Sequence, residues 1–279
     1  MSAFFHLYLC GRKTTKRLIN MNNYDDYLQH EADYQDLKIR DNPRAHLGKM
    51  YSDEASKHRG KCREEAIGDL FEKKVLDLGC GDGFASMDAL RSGAYVTAID
   101  ISPESIKHLI SIAKKENLDH HLDARVMDAH KLEFEDKTFD IIFGNGILHH
   151  LPYLDRAIKE LKRVLKESGH AVFMEPLGMN PFINLFRKMT PNCRTKDEKP
   201  FTKQELSLIR EIFPNAKFSY FEYTTLFTKI LLSLKLSALA GKLQKPLIKA
   251  DEKILKVKNP SKITFAQKMS WMVLIKMEK

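Results

Sequence analysis

At 279 residues, 43% apolar and 30% charged, the chain has material for one large globular domain and is too hydrophobic to be a disordered one. Its four cysteines (Cys10, Cys62, Cys80 and Cys193) stand apart with no CxxC pair, which argues against a disulfide framework or a zinc site, and no metal is expected. The net charge of +9 resides in residues 229–279, where twelve Lys face three acidic residues; the rest is neutral, so a molecule-wide basic field for nucleic acid is not indicated.

The first 21 residues place a short apolar patch before basic residues, the reverse of a signal peptide, and read as a disordered extension with Met21 as an alternative start. No apolar run reaches the roughly 18–20 residues that a spanning helix needs. Residues 22–72 are polar and helix-prone and form an N-terminal cap; Tyr24, Tyr27 and Tyr34 read as ordinary aromatics there, with closure over a ligand as the alternative. From residue 74 short apolar runs alternate with helical periods: "KVLDLG", 84–92, "YVTAID", 103–116, "ARVMDA", "FDIIFGN", 154–167 and "HAVFMEP". Five strands with intervening helices predict an α/β fold on a parallel sheet. An irregular stretch, 175–201, follows, then a helix with Thr202 as N-cap and Glu205 placed for a capping box. "AKFSYFEYTTLF" and "SWMVLIKMEK" read as two closing strands. Between them lies a Lys/Leu-rich insertion, 228–266, with two amphipathic helical segments, "FTKILLSLKLSALAGKL" and "PLIKADEKILKVK".

The chemistry concentrates at strand ends. "VLDLGCGDG" spaces Gly79, Gly81 and Gly83 as GxGxG, although each glycine costs about 0.5–1 kcal/mol in regular structure. The expectation is a ligand pressed against bare backbone where a Cβ would collide with it. Asp100 ends "YVTAID", where an acid can accept both ribose hydroxyls. Asp128 and Ala129 follow "ARVM", where a carboxylate and an amide could read an adenine edge. "FDIIFGNGILHHL" ends the fourth strand in small residues and two histidines, His149 and His150.

At these four stations, across about residues 70–176, the chain resembles the class I S-adenosylmethionine (SAM)-dependent methyltransferases, and "LHHLP" is similar to their quinone-biosynthesis and small-molecule branch. The resemblance implies a Rossmann-like seven-stranded sheet in order 3-2-1-4-5-7-6 with the last strand antiparallel, formed by residues 73–227 and 267–279. It also implies that Asp77, Gly79, Cys80, Gly81 and Gly83 bracket the methionine part of SAM. Asp100 and Ile101 would hold the ribose, Asp128 and Ala129 the adenine, and backbone near Asn145 the amino group. The "NPPY"-type sequence of amino-methylating nucleic-acid enzymes is absent, so an oxygen or carbon acceptor on a small hydrophobic or amphiphilic metabolite is expected. His149 and His150 are the candidate bases, because imidazole suits proton removal at neutral pH; packing or helix capping is their alternative.

Segments 175–201 and 228–266 leave their strands at the carboxyl edge, where open α/β sheets bind ligands, and are expected to roof the site. Glu175 faces the site or binds the loop. Arg187 and Arg194 grip an anionic acceptor or tie the loop to Asp197 and Glu198. The basic insertion has three readings: a lid with a solvated lysine face, an amphipathic contact with an anionic membrane, or an RNA-binding element, the last lacking aromatics for base stacking. A cytoplasmic enzyme with peripheral membrane contact is expected. An RNA methyltransferase and a non-catalytic SAM-binding partner protein are the alternatives.

Overall fold

The computed structural model describes residues 24–41, 53–189, 198–257 and 262–279. The expected N-terminal extension, Arg194 and Asp197 lie outside them. In chain order the elements are α1 (Tyr24–Asp41), α2 (Glu54–Ile67), β1 (Lys74–Leu78), α3 (Phe84–Arg91), β2 (Tyr95–Asp100), α4 (Pro103–Lys115) and β3 (Leu122–Val126). They continue with β4 (Phe139–Asn145), α5 (Leu154–Val164), β5 (Leu165–Pro176), α6 (Pro181–Met189), α7 (Lys203–Ile212) and β6 (Lys217–Phe221). The last are α8 (Leu226–Ser233), α9 (Ser237–Ile254), a single turn α10 (Phe265–Lys268) and β7 (Met272–Glu278).

The seven strands form one sheet in the order β3-β2-β1-β4-β5-β7-β6, and β7 alone runs antiparallel to both its neighbours. Strand alternation builds the two layers of the core. Leu76, Ile142 and Phe173 pack with Ile158 and Leu161 of α5 and Leu206 and Ile209 of α7. Val75, Ile141 and Val172 pack with Met87 of α3, Leu109 of α4 and Ile67 of α2 on the other face. Each such buried side chain contributes about 1.5–3 kcal/mol, which sets the sheet as the rigid base of the site. The chain steps outward from β1 through β2 to β3 and then returns to β4 beside β1. That reversal leaves a crevice at the carboxyl ends of β1 and β4.

Local details depart from the sequence reading at three places. The helix expected over 154–167 stops at Val164, and β5 starts at once from Leu165, which pairs with Phe139 before the register shifts. The strand expected over "AKFSYFEYTTLF" ends at Phe221, because Glu222 takes a left-handed backbone (φ 62°) that breaks pleating. In the insertion, the expected division of two helices near Pro246 is displaced. Pro246 sits inside α9, whereas the break falls at Leu234–Leu236, where Lys235 is left-handed (φ 62°). The insertion is strapped down by side chains. Asp251 of α9 accepts from the amide and hydroxyl of Thr224 (2.7 Å each) and the hydroxyl of Thr225 (2.8 Å) ahead of α8. Asp53, the N-cap of α2, accepts from Lys229 of α8 (2.7 Å) and Gln244 of α9 (3.1 Å). The Thr202–Glu205 capping box stands as read.

Candidate active site

A cleft of about 370 Å³ opens at the carboxyl ends of β1, β2 and β4. Of the residues expected to bind cofactor, Asp77, Gly79, Cys80, Gly81, Asp100, Ile101, Asp128, Ala129 and Asn145 line it, as do His149 and His150. Gly83 does not. It starts α3 with φ 78°, and a Cβ there would meet Leu109 Cδ1 at 2.8 Å, so this glycine serves the packing of α3 on α4.

The glycine loop therefore has two causes where one was expected. At Gly79 the obstacle to a side chain is the protein's own Ile147, 2.6 Å from an added Cβ. At Gly81 (φ 52°) nothing lies within 4 Å of an added Cβ. This position alone in the loop pairs a left-handed backbone with open space in the cleft, the cradle that a close-lying ligand requires. The Gly81 amide donates to Asp100 Oδ2 and the Ser102 amide to Oδ1, both at 2.9 Å. Each oxygen keeps further acceptor capacity, which suits a pair of ribose hydroxyls. Burial pushes the Asp100 carboxyl upward against those two amides. Asp77 is deeper: Ser86 Oγ donates to its Oδ2 at 2.6 Å, yet burial raises the carboxyl to about 7. Two buried carboxylates side by side favour a cation at this end of the cleft. Burial raises the Cys80 thiol, so Cys80 is an inert wall residue.

The far wall comes from α1. Tyr24 donates to Asp128 Oδ2 (2.7 Å), the Tyr27 hydroxyl donates to the His150 carbonyl, and Ser102 donates to Asp36. Tyr27, Glu31, Tyr34 and Lys38 line the cleft, so of the three tyrosines read as ordinary aromatics Tyr27 and Tyr34 face it, while Tyr24 is held by Asp128 and His130. Burial pushes Asp128 up, but hydrogen bonds from His130 and Tyr24 outweigh it and hold the carboxyl below its usual range. The sequence signal for this wall was slight: three tyrosines on a mostly polar helix.

At the other end stand the histidines, in a one-turn helix after β4. Glu175, fully buried at the end of β5, organises them. Its Oε1 accepts from the amides of Ile147 (3.1 Å) and Leu148 (2.9 Å), and its Oε2 lies 2.7 Å from His149 Nδ1. Because a carboxylate only accepts, Nδ1 carries the proton and Nε2 keeps a lone pair. Burial, and then the neighbouring His150, lower the His149 pKa, so the ring is neutral at pH 7. His150 Nδ1 faces Glu31 Oε2 at 3.2 Å, and the two imidazoles lie 4.1 Å apart between centroids. Glu198 Oε2 stands 3.9 Å from His149 Nε2; His149, His150 and Glu198 are the one such close grouping of histidine and carboxylate donors among the described residues. Beyond them the cleft reaches Arg187, Lys229, Glu222 and Trp271. Arg187 donates to the Leu177 carbonyl (3.0 Å) and Asn184 (3.1 Å). The buried Lys229 and Glu222 had no signal in the sequence, because each resembles the exposed charges around it until the strapping of α8 is known.

A family model described as a methyltransferase domain matches residues 76–173. The fold is also that of solved structures. Geranyl diphosphate C-methyltransferase from Streptomyces coelicolor A3(2) superposes with a TM-score of 0.57 at 15% identity, covering 80% of this chain and 78% of that one. Phosphoethanolamine N-methyltransferase 2 of Haemonchus contortus, solved with S-adenosyl-L-methionine, gives 0.57 at 16% identity over 88% of this chain and 60% of the other. Residues 76–173 thus match a methyltransferase domain, and the sheet order and fold around them are those of these solved methyltransferases. Among curated proteins it is 35% identical over 121 residues to the ubiquinone biosynthesis O-methyltransferase of Nitrosomonas europaea (42% of this chain, 49% of the relative). It is 32% identical over 109 residues to sterol 4-C-methyltransferase of Caenorhabditis elegans (38% and 32%). The chain thus spans half or less of the length of these relatives.

Proposed function

We propose that the protein transfers a methyl group from S-adenosylmethionine to an oxygen or carbon of a small hydrophobic or amphiphilic metabolite. The carrying observation is His149, backed by the buried Glu175, in the same cleft as Gly81 and Asp100. SAM, when bound, supplies an electrophilic methyl on a sulfonium. The protein's work is to hold and align: Asp100 and Ile101 at the ribose, Asp128 and Ala129 at the adenine, and Asp77, Gly79, Cys80, Gly81 and the backbone at Asn145 around the methionine end. Alignment of an in-line displacement contributes on the order of 7–11 kcal/mol.

A hydroxyl or carbon acid must also lose a proton. His149 Nε2 takes it, since Nδ1 is committed to Glu175 and burial keeps the ring neutral. Glu175 then stabilises the imidazolium and so acts as a positioning residue. His150 is the second candidate, and its link to Glu31 couples it to the seating of α1. The relatives' names agree with such acceptors: one is an O-methyltransferase of ubiquinone biosynthesis, the other a sterol C-methyltransferase. A cytoplasmic site of action, with segment 228–266 touching an anionic membrane from which the acceptor arrives, belongs to the same reading.

Calorimetry with SAM and turnover with a phenolic acceptor test it. The native protein should bind SAM, and Asp100→Ala should not. His149→Asn should retain SAM affinity but lose about 10²–10⁴-fold in turnover. Unaltered turnover removes the base, and a native protein blind to SAM removes the whole reading.

A further inference from the structure

Two short helices at the acceptor end of the cleft carry apolar side chains on the wrong side. On α6, Phe182, Leu185 and Met189 follow a spacing of three and four, which aligns them on one helical face. On α8 and its cap, Phe227, Ile230 and Leu234 repeat that spacing. All six are more than half exposed (52–73%). Neither helix lacks a buried face. Ile183 anchors α6 in the core, and Phe186 lies 6.4 Å from the Trp271 ring. Leu231, Thr228 and Lys229 anchor α8, with Lys229 Nζ 5.5 Å from that same ring. The helices therefore flank Trp271, and Arg187 of one and Lys229 of the other line the cleft. Single exposed apolar residues mean little, but two aligned stripes beside one opening mark an interaction surface.

The charge beside them selects the partner. The helix that follows α8 sets Lys242, Lys245, Lys249 and Lys253 at spacings of three, four and four, all exposed, so a full lysine stripe runs along α9. Of the other charges on α9, Asp251 is buried against Thr224 and Thr225, and Glu252 meets His58 at 3.5 Å. Lys245 shares the field of Glu54 at the start of α2; apolar stripes together with an exposed lysine row match a bilayer with anionic headgroups, acyl chains receiving the former and phosphates the latter.

We infer that the exposed faces of α6 and α8, with the lysine stripe of α9, seat the protein on an anionic membrane with the acceptor end of the cleft at the surface. This rests on the amphiphilic acceptor proposed above and gives it a route of entry. It also moves the contact from the insertion alone to a surface shared with α6, which precedes β6.

The full chain, sedimented with vesicles of phosphatidylcholine alone or with about one-third phosphatidylglycerol, tests the inference. Binding to the anionic vesicles, weakening with salt, is expected. Phe182→Ser with Leu185→Ser, and separately Phe227→Ser with Ile230→Ser, should each lower partitioning about tenfold or more, with SAM affinity unchanged as the check on folding. Neutralising the four lysines of α9 to Gln should abolish the preference for anionic lipid. Failure to bind either vesicle, or serine variants that bind like the native chain, overturns the inference. So does a dimer in light scattering that the serine variants dissolve without any vesicle binding, which would give the stripes to a second copy. Retention on RNA in place of vesicles overturns it too. The readout needs no methyl transfer, so it stands apart from failure of the enzymatic reading.

Discussion

The two ends of the cleft are built on different plans. The glycine end, proposed for the cofactor, centres on the tips of β1 and β2, where backbone amides of Gly81 and Ser102 hold one carboxylate, with α1 reaching in only at Asp128 and Ser102. The acceptor end is assembled from long-range partners: Lys229 meets Asp53 and Ser56, Arg59 pairs with Glu222, and Glu31 meets His150. A site made of backbone tolerates change around it and fails only if its few glycines and acids change. A site made of buried ion pairs can be re-specified, but each pair stands or falls with its partner.

The sharpest way to break this contrast lies within the glycine loop. Gly81→Val should abolish SAM binding in calorimetry, because its side chain would enter the open cradle. Gly83→Ala should leave affinity intact while lowering stability by about 1–3 kcal/mol, as its Cβ meets Leu109. The reverse pattern would return Gly83 to the cofactor site. Next, Lys229→Ala strands Asp53 among buried neighbours and should cost about 3–5 kcal/mol in denaturant unfolding, far more than a surface lysine. A cost under 1 kcal/mol would show that the straps at the acceptor end are dispensable.

The smallest effect concerns pH. Burial raises Asp77 to about 7 from its ordinary 3.8, helped by Asp100 and Asp82 and opposed by Ser86 and Arg63. Between those values the folded chain holds a proton that the unfolded chain has lost, so this group's contribution to stability declines as pH climbs from 3.8 to 7. SAM carries net positive charge, and its affinity should therefore improve as pH rises through about 7, by at most about tenfold per unit. Asp77→Asn should flatten both profiles, and a variant that keeps the native pH slope would assign the titration elsewhere.

The same contrast explains what could be read from the chain. GxGxG, Asp100 and the paired histidines are legible because strand ends bring adjacent residues to one edge, and periodicity located every strand of the sheet. Thr202 and Glu205 were legible because a capping box is local. The role of Glu175 could be narrowed to two options, since it ends a strand but its partners are backbone amides. Tyr24, Glu31 and Glu222 were opaque: their meaning depends on which helix crosses the cleft and on a left-handed residue, not on their neighbours in sequence. Pro246 misled for a related reason. Packing of α9 against α2 and α8 offsets the one hydrogen bond a proline forfeits, so the helix runs through Pro246.

The eighteen-residue helix α1 is moored to the very carboxylate expected beside the adenine, through the Tyr24 hydroxyl on Asp128, and to the loop of the paired histidines through Tyr27. Under the reaction proposed, the spent nucleoside cannot depart sideways without slackening those moorings. On that proposal, traffic through the cleft is governed by the berthing of α1, which meters how often a fresh ligand is admitted.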